Sequence, residues 1–366
     1  MSTATPRAGR RRFSLPPRAE RIINILSIVI LVVLVAALVL WRIPSSYQVY
    51  LPATAESVAS QIYVADHPEP TGRGGFYMTF VEEPDTSLLL SIFGRLDPDA
   101  SVEPLPKNYS QSQSVQQGKA DMLSSEQTAE LVALCHVGYP SLCSSGVQVQ
   151  QIETYSKAGG ILQPGDIITA VDGTRVISYD ALRAALATHA PGSRVTLTFL
   201  RGKQTLTRSV QTVRSPDQPY HAVLGISIAP AAPLSIPSKL PVDVKINPGN
   251  IGGPSAGLMF TLGILNRLSP TDLTHGYKIA GTGEIFLDGS VGPIGGVKQK
   301  VIGAEWAGAK YFFVPCSYGN YDDARRAVDP SKMMLLPVTS LDDALNYLHQ
   351  LASNPKPPLK TCPAGQ

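Results

Sequence analysis

Two side chains late in the sequence have the type and setting for covalent chemistry: Ser255 and Lys300. Ser255 stands in Gly252-Gly253-Pro254-Ser255-Ala256-Gly257, just ahead of an apolar run. Leu258, Leu262, Leu265 and Leu268 recur there at helical spacing, so one helix face is expected to be buried. Pro254 suits a first helical turn, where no N–H is required, and the paired glycines permit close backbone approach. A hydroxyl in that turn lies among free N–H groups at the positive end of the helix dipole. It could serve as a nucleophile, with its own N–H and that of Ala256 holding an oxyanion. Taken alone, the turn favours the plainer reading of Ser255 as a helix cap.

Lys300 lies in a short helical pattern after Gly295-Gly296. At roughly 100° per residue, Val297, Val301 and Ala304 share a stripe and Lys300 falls between Ala304 and Ala307. Lys298 falls on the other flank, near Glu305, where a solvated ion pair explains it. Lys300 is therefore the one expected to lose water. An amine moved out of water gives up its proton more readily and can act as a general base. The plainer reading is a stem covering apolar surface with its charge in solvent.

Set in order, the pieces form a larger pattern. Pro254-Ser255-Ala256-Gly257 opens a helix, Gly281-Thr282-Gly283-Glu284 follows, then Pro293-Ile294-Gly295-Gly296-Val297-Lys298-Gln299-Lys300, then a hydrophobic strand ending at Pro315. This order resembles the proteolytic domain of Lon proteases, over about a third of the chain. The resemblance implies Ser255 as nucleophile, Lys300 as base and Thr282 as the residue that orients the lysine. It also implies a homo-oligomeric ring. Lon enzymes often carry an acidic residue three places before the serine. Here that place is Gly252, and Asn250 is the expected helper in holding the turn.

Upstream, Val147-Gln148-Val149 alternates, Gln163-Pro164-Gly165-Asp166-Ile167-Ile168 and Val171-Asp172-Gly173 follow, and a helix is expected from Tyr179 to Thr188. This stretch is similar to a PDZ domain. Such domains add an extended peptide as a strand, here expected beside Val147–Ile152 and against the helix. A rigid spacer with the same fold is the competing reading.

The amino-terminal 21 residues hold six arginines and one glutamate, and Ile22–Trp41 is almost wholly apolar. That length spans a bilayer as a helix. After Arg42 the next Lys or Arg is Arg73, so the charge asymmetry puts the amino end in the cytoplasm and the rest outside. A net charge of +3 over 366 residues gives no argument for nucleic acid. No Gly-x-x-x-x-Gly-Lys-Ser/Thr run is present, so no nucleotide site is expected. The four cysteines lack metal-ligand spacing; outside the cytoplasm, Cys135–Cys143 and Cys316–Cys362 are the expected disulfides.

The expected fold class is α+β multidomain, with a single transmembrane helix, a PDZ domain and a Lon-type α/β proteolytic domain. The segments are a basic tail (1–21), a signal anchor (22–41), a membrane-proximal region (43–140), the PDZ domain (144–214), the proteolytic domain (220–350) and a loose tail (353–366). Within 43–140, strands are expected at Gln48–Tyr50, Phe76–Val81 and Ser87–Phe93. A polar helix is expected at Ser112–Cys135, with Met122, Leu131 and Leu134 as anchors. Leu224–Ile228 and Val242–Ile246 are expected as strands of the last domain. The whole order resembles the YlbL-type proteases of Gram-positive bacteria. It implies a membrane-bound serine endopeptidase needing no metal, nucleotide or organic cofactor, with protein or peptide substrates. A tethered adaptor without activity is the alternative.

Overall fold

The computed structural model describes residues 17–362 apart from 70, 71, 73, 86, 108, 217–219, 234 and 235. The basic run before residue 17, most of the Pro216–Pro219 boundary and the last four residues of the tail lie outside the described residues. The first elements are α1 (Pro17–Arg42), β1 (Tyr47–Pro52), β2 (Glu56–Ser57), β3 (Ile62–Val64), β4 (Gly75–Met78), β5 (Val81–Glu82), α2 (Leu88–Leu96), β6 (Ser101–Pro104) and α3 (Gln111–His136). Then come β7 (Val147–Ile152), β8 (Ile167–Val171), β9 (Thr174–Arg175), α4 (Tyr179–Ala187), β10 (Arg194–Arg201), β11 (Gln204–Gln211), β12 (Val213–Arg214), β13 (Ala222–Val223) and β14 (Ile226–Pro230). The last are β15 (Val244–Ile246), α5 (Gly257–Leu268), β16 (Lys278–Gly281), β17 (Glu284–Ile285), β18 (Val291–Gly292), α6 (Val297–Trp306), β19 (Tyr311–Pro315), α7 (Asn320–Ala327), β20 (Met334–Val338) and α8 (Leu341–Leu351).

The chain forms two compact units, one reaching to Tyr50 and including 83–107, the other comprising 51–82 and everything from 108 on. In the smaller unit, Arg21–Arg42 of α1 is long and apolar enough to cross a membrane, and an 18-residue stretch of it has a mean hydropathy of 3.2. Residues Tyr47–Tyr50 of β1 pair antiparallel with β6. Ser87–Phe93, expected as a strand, is instead the start of helix α2. The reason is local: Ser87 caps it, its hydroxyl accepting the Leu90 N–H at 3.1 Å.

In the larger unit one sheet runs β11-β10-β8-β7-β14, with α4 packed on it. Leu182 and Leu186 of α4 share a core with Val149, Ile168, Leu197 and Phe199. Asp166 is buried and forms an ion pair with Arg201 at 2.7 Å. The edge of β7, expected to be open, is taken: Ile226–Pro230 pairs antiparallel along it. These residues were expected in the last domain; their alternation lets Ile226 and Ile228 join this core. The open edge thus belongs to β14, for which no further strand partner occurs among the described residues.

A second sheet runs β2-β4-β16-β19-β20, with the last four strands parallel. Alternate residues enter different cores. Ile279 and Phe313 face α5 and α8, while Ala280, Phe312 and Val314 face α6 and α7. Each fully buried Leu, Ile or Phe in such a layer contributes about 1.5–3 kcal/mol, and α5 is buried from Gly257 to Asn266. Val244–Ile246 pairs with β3. Helix α3 packs Met122, Ala129, Val132 and Ala133 into the α5 core; Met122 and Leu134 are buried as expected, whereas Leu131 is only half-buried.

Both expected disulfides are present, Cys135–Cys143 and Cys316–Cys362. The tail expected to be loose is tethered as far as Cys362. Besides the disulfide, the Lys360 N–H donates to the Tyr347 hydroxyl at 2.7 Å, and the Tyr311 hydroxyl donates to Pro355 O at 2.9 Å.

Candidate active site

The parallel strands fix where chemistry can occur. In open α/β sheets, side chains beyond the carboxyl ends of the strands converge with the helices on either face. Thr282 directly follows β16 and is fully buried. Ser255 lies in a short 3-10 turn, Pro254–Ala256, that leads into α5 on one face. Lys300 lies in the first turns of α6 on the other. The three meet at the end of β16.

The geometry is close. Lys300 Nζ donates to Ser255 Oγ at 2.7 Å and to Thr282 Oγ1 at 3.3 Å. The Thr282 hydroxyl donates in turn to Ser255 O at 3.1 Å. Lys300 is 3% exposed although it carries an amine, and Ser255 is half-buried. The expected stripe on α6 is also found, with Val297, Val301 and Ala304 buried and Lys298 half-buried.

Backbone contacts hold each partner. The Gly283 N–H donates to Ser255 O at 2.8 Å, and the Leu258 N–H to Gly283 O at 3.0 Å. The Thr282 N–H is taken by Phe313 O at 3.1 Å. Thr79, just past β4, donates its hydroxyl to Gly281 O at 3.1 Å. The loop into α6 is clamped by the Asn320 amide: its Oδ1 accepts the Ile294 N–H at 2.9 Å and its Nδ2 donates to Ile294 O at 3.0 Å. Ala256 is buried beside Ser255 in the turn.

The turn before the serine is held from an unexpected direction. Gly253 has φ +89°, a conformation that suits glycine. Its N–H donates to Gly118 O of α3 at 2.8 Å. Ser125, a turn pair further along α3, donates its hydroxyl to Pro254 O at 2.9 Å. Gly252 lies so close to Gly118 that a Cβ there would come within 3.2 Å of the Gly118 carbonyl carbon. Asn250, the expected helper, is exposed. Spacing near Ser255 gives no sign of α3, because the contact is made by a glycine carbonyl and a serine with no apolar periodicity.

Two residues beyond Thr282, Glu284 is half-buried; burial, with the Asp121 carboxylate nearby, raises its pKa above the ordinary value.

Residues 237–350 match the Lon protease (S16) C-terminal proteolytic domain. Residues 123–212 match the PDZ domain family PDZ_2. The chain is 42% identical to the Lon protease of Campylobacter concisus over 98 residues, 25% of this chain and 11% of that one. It is 37% identical to Lon protease 1 of Sorangium cellulosum over 139 residues, 36% of this chain and 17% of that one. The chain therefore spans less than a fifth of the length of these relatives. A solved PDZ domain of an SdrC-like protein from Listeria innocua is 24% identical, covering 23% of this chain and 92% of its own, with a TM-score of 0.21. The chain is thus an α+β multidomain protein with an N-terminal apolar helix, a PDZ domain and a Lon proteolytic domain, the last from a serine peptidase family.

Proposed function

We propose that the protein is a membrane-anchored serine endopeptidase that works without ATP and resembles the YlbL-type proteases. The observation that carries this reading is the 2.7 Å contact between Lys300 Nζ and Ser255 Oγ. Withdrawing an ammonium from water is costly unless it is well paired. Lys300 Nζ, buried and in hydrogen-bond contact with Ser255 Oγ, has the geometry that a general base needs.

In the first half-reaction Ser255 Oγ bonds to the scissile carbonyl carbon as its proton passes to Lys300 Nζ. The N–H groups of Ser255 and Ala256 take the negative oxygen. As the C–N bond breaks, Lys300 returns the proton to the leaving amine, and water then hydrolyses the acyl-enzyme by the same relay. Thr282 keeps the lysine aimed.

The open edge of β14, beside α4, is where an extended substrate segment would add as a strand. The apolar α1 and the two disulfides support a membrane anchor with the bulk of the chain outside the cytoplasm. No metal, nucleotide or organic cofactor enters this chemistry.

The test is casein digestion by the full chain in detergent or nanodiscs, with Ser255→Ala and Lys300→Ala as controls. Cleavage by the parent and by neither variant is expected. Cleavage that survives both changes would mean a different nucleophile; an inert parent would favour a tethered adaptor.

A further inference from the structure

Helix α2 is amphipathic the wrong way round for a soluble protein. Ser91 and Gly94 face inward and are buried. Leu88, Ile92, Phe93 and Leu96 face outward and are 36, 43, 60 and 74% exposed. At roughly 100° per residue the four fall within one arc, with Ser91 and Gly94 on the opposite side. The orientation is fixed. Ser91 Oγ and Ser45 Oγ lie 2.9 Å apart in a buried pair, and Ser91 Oγ also donates to Ser87 O at 3.0 Å. A Cβ on Gly94 would meet Val49 at 2.9 Å and Val102 at 3.1 Å, so only glycine lets the helix lie this close to β1 and β6. The helix cannot simply roll its apolar side inward.

Its position names the occupant of that face. The Leu88 N–H donates to Ile43 O at 2.9 Å, and Ile43 is the first residue beyond α1. The apolar surface of α2 therefore begins where the apolar surface of α1 stops. Trp41 at that junction is 61% exposed and Tyr47 37%, amphipathic rings of the kind found at membrane–water boundaries. Arg95 stacks its guanidinium 4.5 Å above the Tyr47 ring, a cation beside these exposed rings of the kind that anionic headgroups attract.

We propose that α2 is an interfacial helix that lies in the lipid headgroup region, with Leu88, Ile92, Phe93 and Leu96 in contact with acyl chains. The proposal rests on the membrane-anchor part of the proposed function. It adds that the chain meets the bilayer at a second place, so that the smaller unit is seated on the membrane rather than hung from a single helix.

The experiment uses the full chain in lipid vesicles carrying a nitroxide quencher either near the headgroup or near the bilayer centre. Phe93→Trp supplies the reporter, with Trp41→Phe and Trp306→Phe to remove the native indoles. Leu96→Trp repeats the reading on a second exposed position, where no core packing is at stake. An interfacial helix lies about 5–10 Å into the headgroup–acyl boundary, so the shallow quencher should dim both reporters more than the deep one. No quenching by either lipid would overturn the proposal, including the case where the face is covered by a second copy of the chain. Stronger quenching by the deep label would overturn it too. Native Trp41, read alone with Trp306→Phe, reports on α1: if it escapes both quenchers, the anchor reading has failed. If it is quenched while the indole at 93 is not, only the α2 proposal has.

Discussion

The PDZ module and the layer behind Ser255 share one compact unit but are assembled differently. The module takes its sheet and core from a nearly continuous run, Val147 to Pro230. The layer behind Ser255 takes β2, β3 and β4 from before residue 80, α3 from 111–136 and everything else from beyond 240. A continuous module can lose stability alone. A layer gathered from distant segments should lose its active site when any one of them is removed.

The most severe way to break that contrast is to begin the chain at Tyr109. This removes Val58, Ile62, Phe76 and Met78 from the α5 core. We expect no cooperative unfolding transition by calorimetry, even though every residue matched to the Lon domain is still there. A folded, active product would show that the early strands are dispensable.

Next in size is Lys300→Met, which should lower kcat by about 10³-fold or more, in line with loss of a catalytic base. Steady-state hydrolysis of a fluorogenic peptide checks it, with far-UV circular dichroism to show that the variant folds.

Ser125→Ala tests the reach of α3 into the turn. We expect about a tenfold fall in kcat with KM within about twofold, the pattern of a misaligned nucleophile. Ser124→Ala, on the exposed side of the same helix, should behave as wild type.

Arg201→Ala sharpens the other side of the comparison. It leaves the Asp166 carboxylate buried without its partner, which is destabilising. Hydrogen exchange should speed up between Val147 and Pro230 while cleavage of small peptides continues. Loss of both together would mean the module and the layer do not melt separately.

The smallest effect concerns Glu130 on α3, whose carboxyl burial and the Asp243 charge raise from 4.5 to about 7. The folded state binds this proton more tightly than the unfolded state. Stability from this group is thus full below about pH 4.5 and lost as pH rises toward 7. Glu130→Gln should therefore raise stability at pH 8 by on the order of 1 kcal/mol, given partial solvent screening, and change little at pH 4.5. Denaturant melts at the two pH values decide it.

The same contrast explains what could be read from sequence. Ser255 and Lys300 each stand in a stretch where glycines and prolines punctuate a helix, so local spacing brought them forward, whereas Thr282 came only from the resemblance to Lon proteolytic domains. The helix at Tyr179 and the hydrophobic strand ending at Pro315 were also legible locally. The missing information was long-range. Nothing in Ile226–Pro230 says that it pairs with Val147–Ile152 rather than with the strands that follow it. Gly118 and Ser125 act through a carbonyl and a hydroxyl, which leave no hydrophobic pattern. Ser87–Phe93 has the composition of a strand, and its capping serine decided otherwise.

One consequence follows from β4 lying beside β16. If a protease nicked the chain after residue 82, the piece carrying Ser255 and Lys300 would not be shed. The severed segment would still be bonded to Lys278–Gly281 along Gly75–Met78, so the two pieces would stay together.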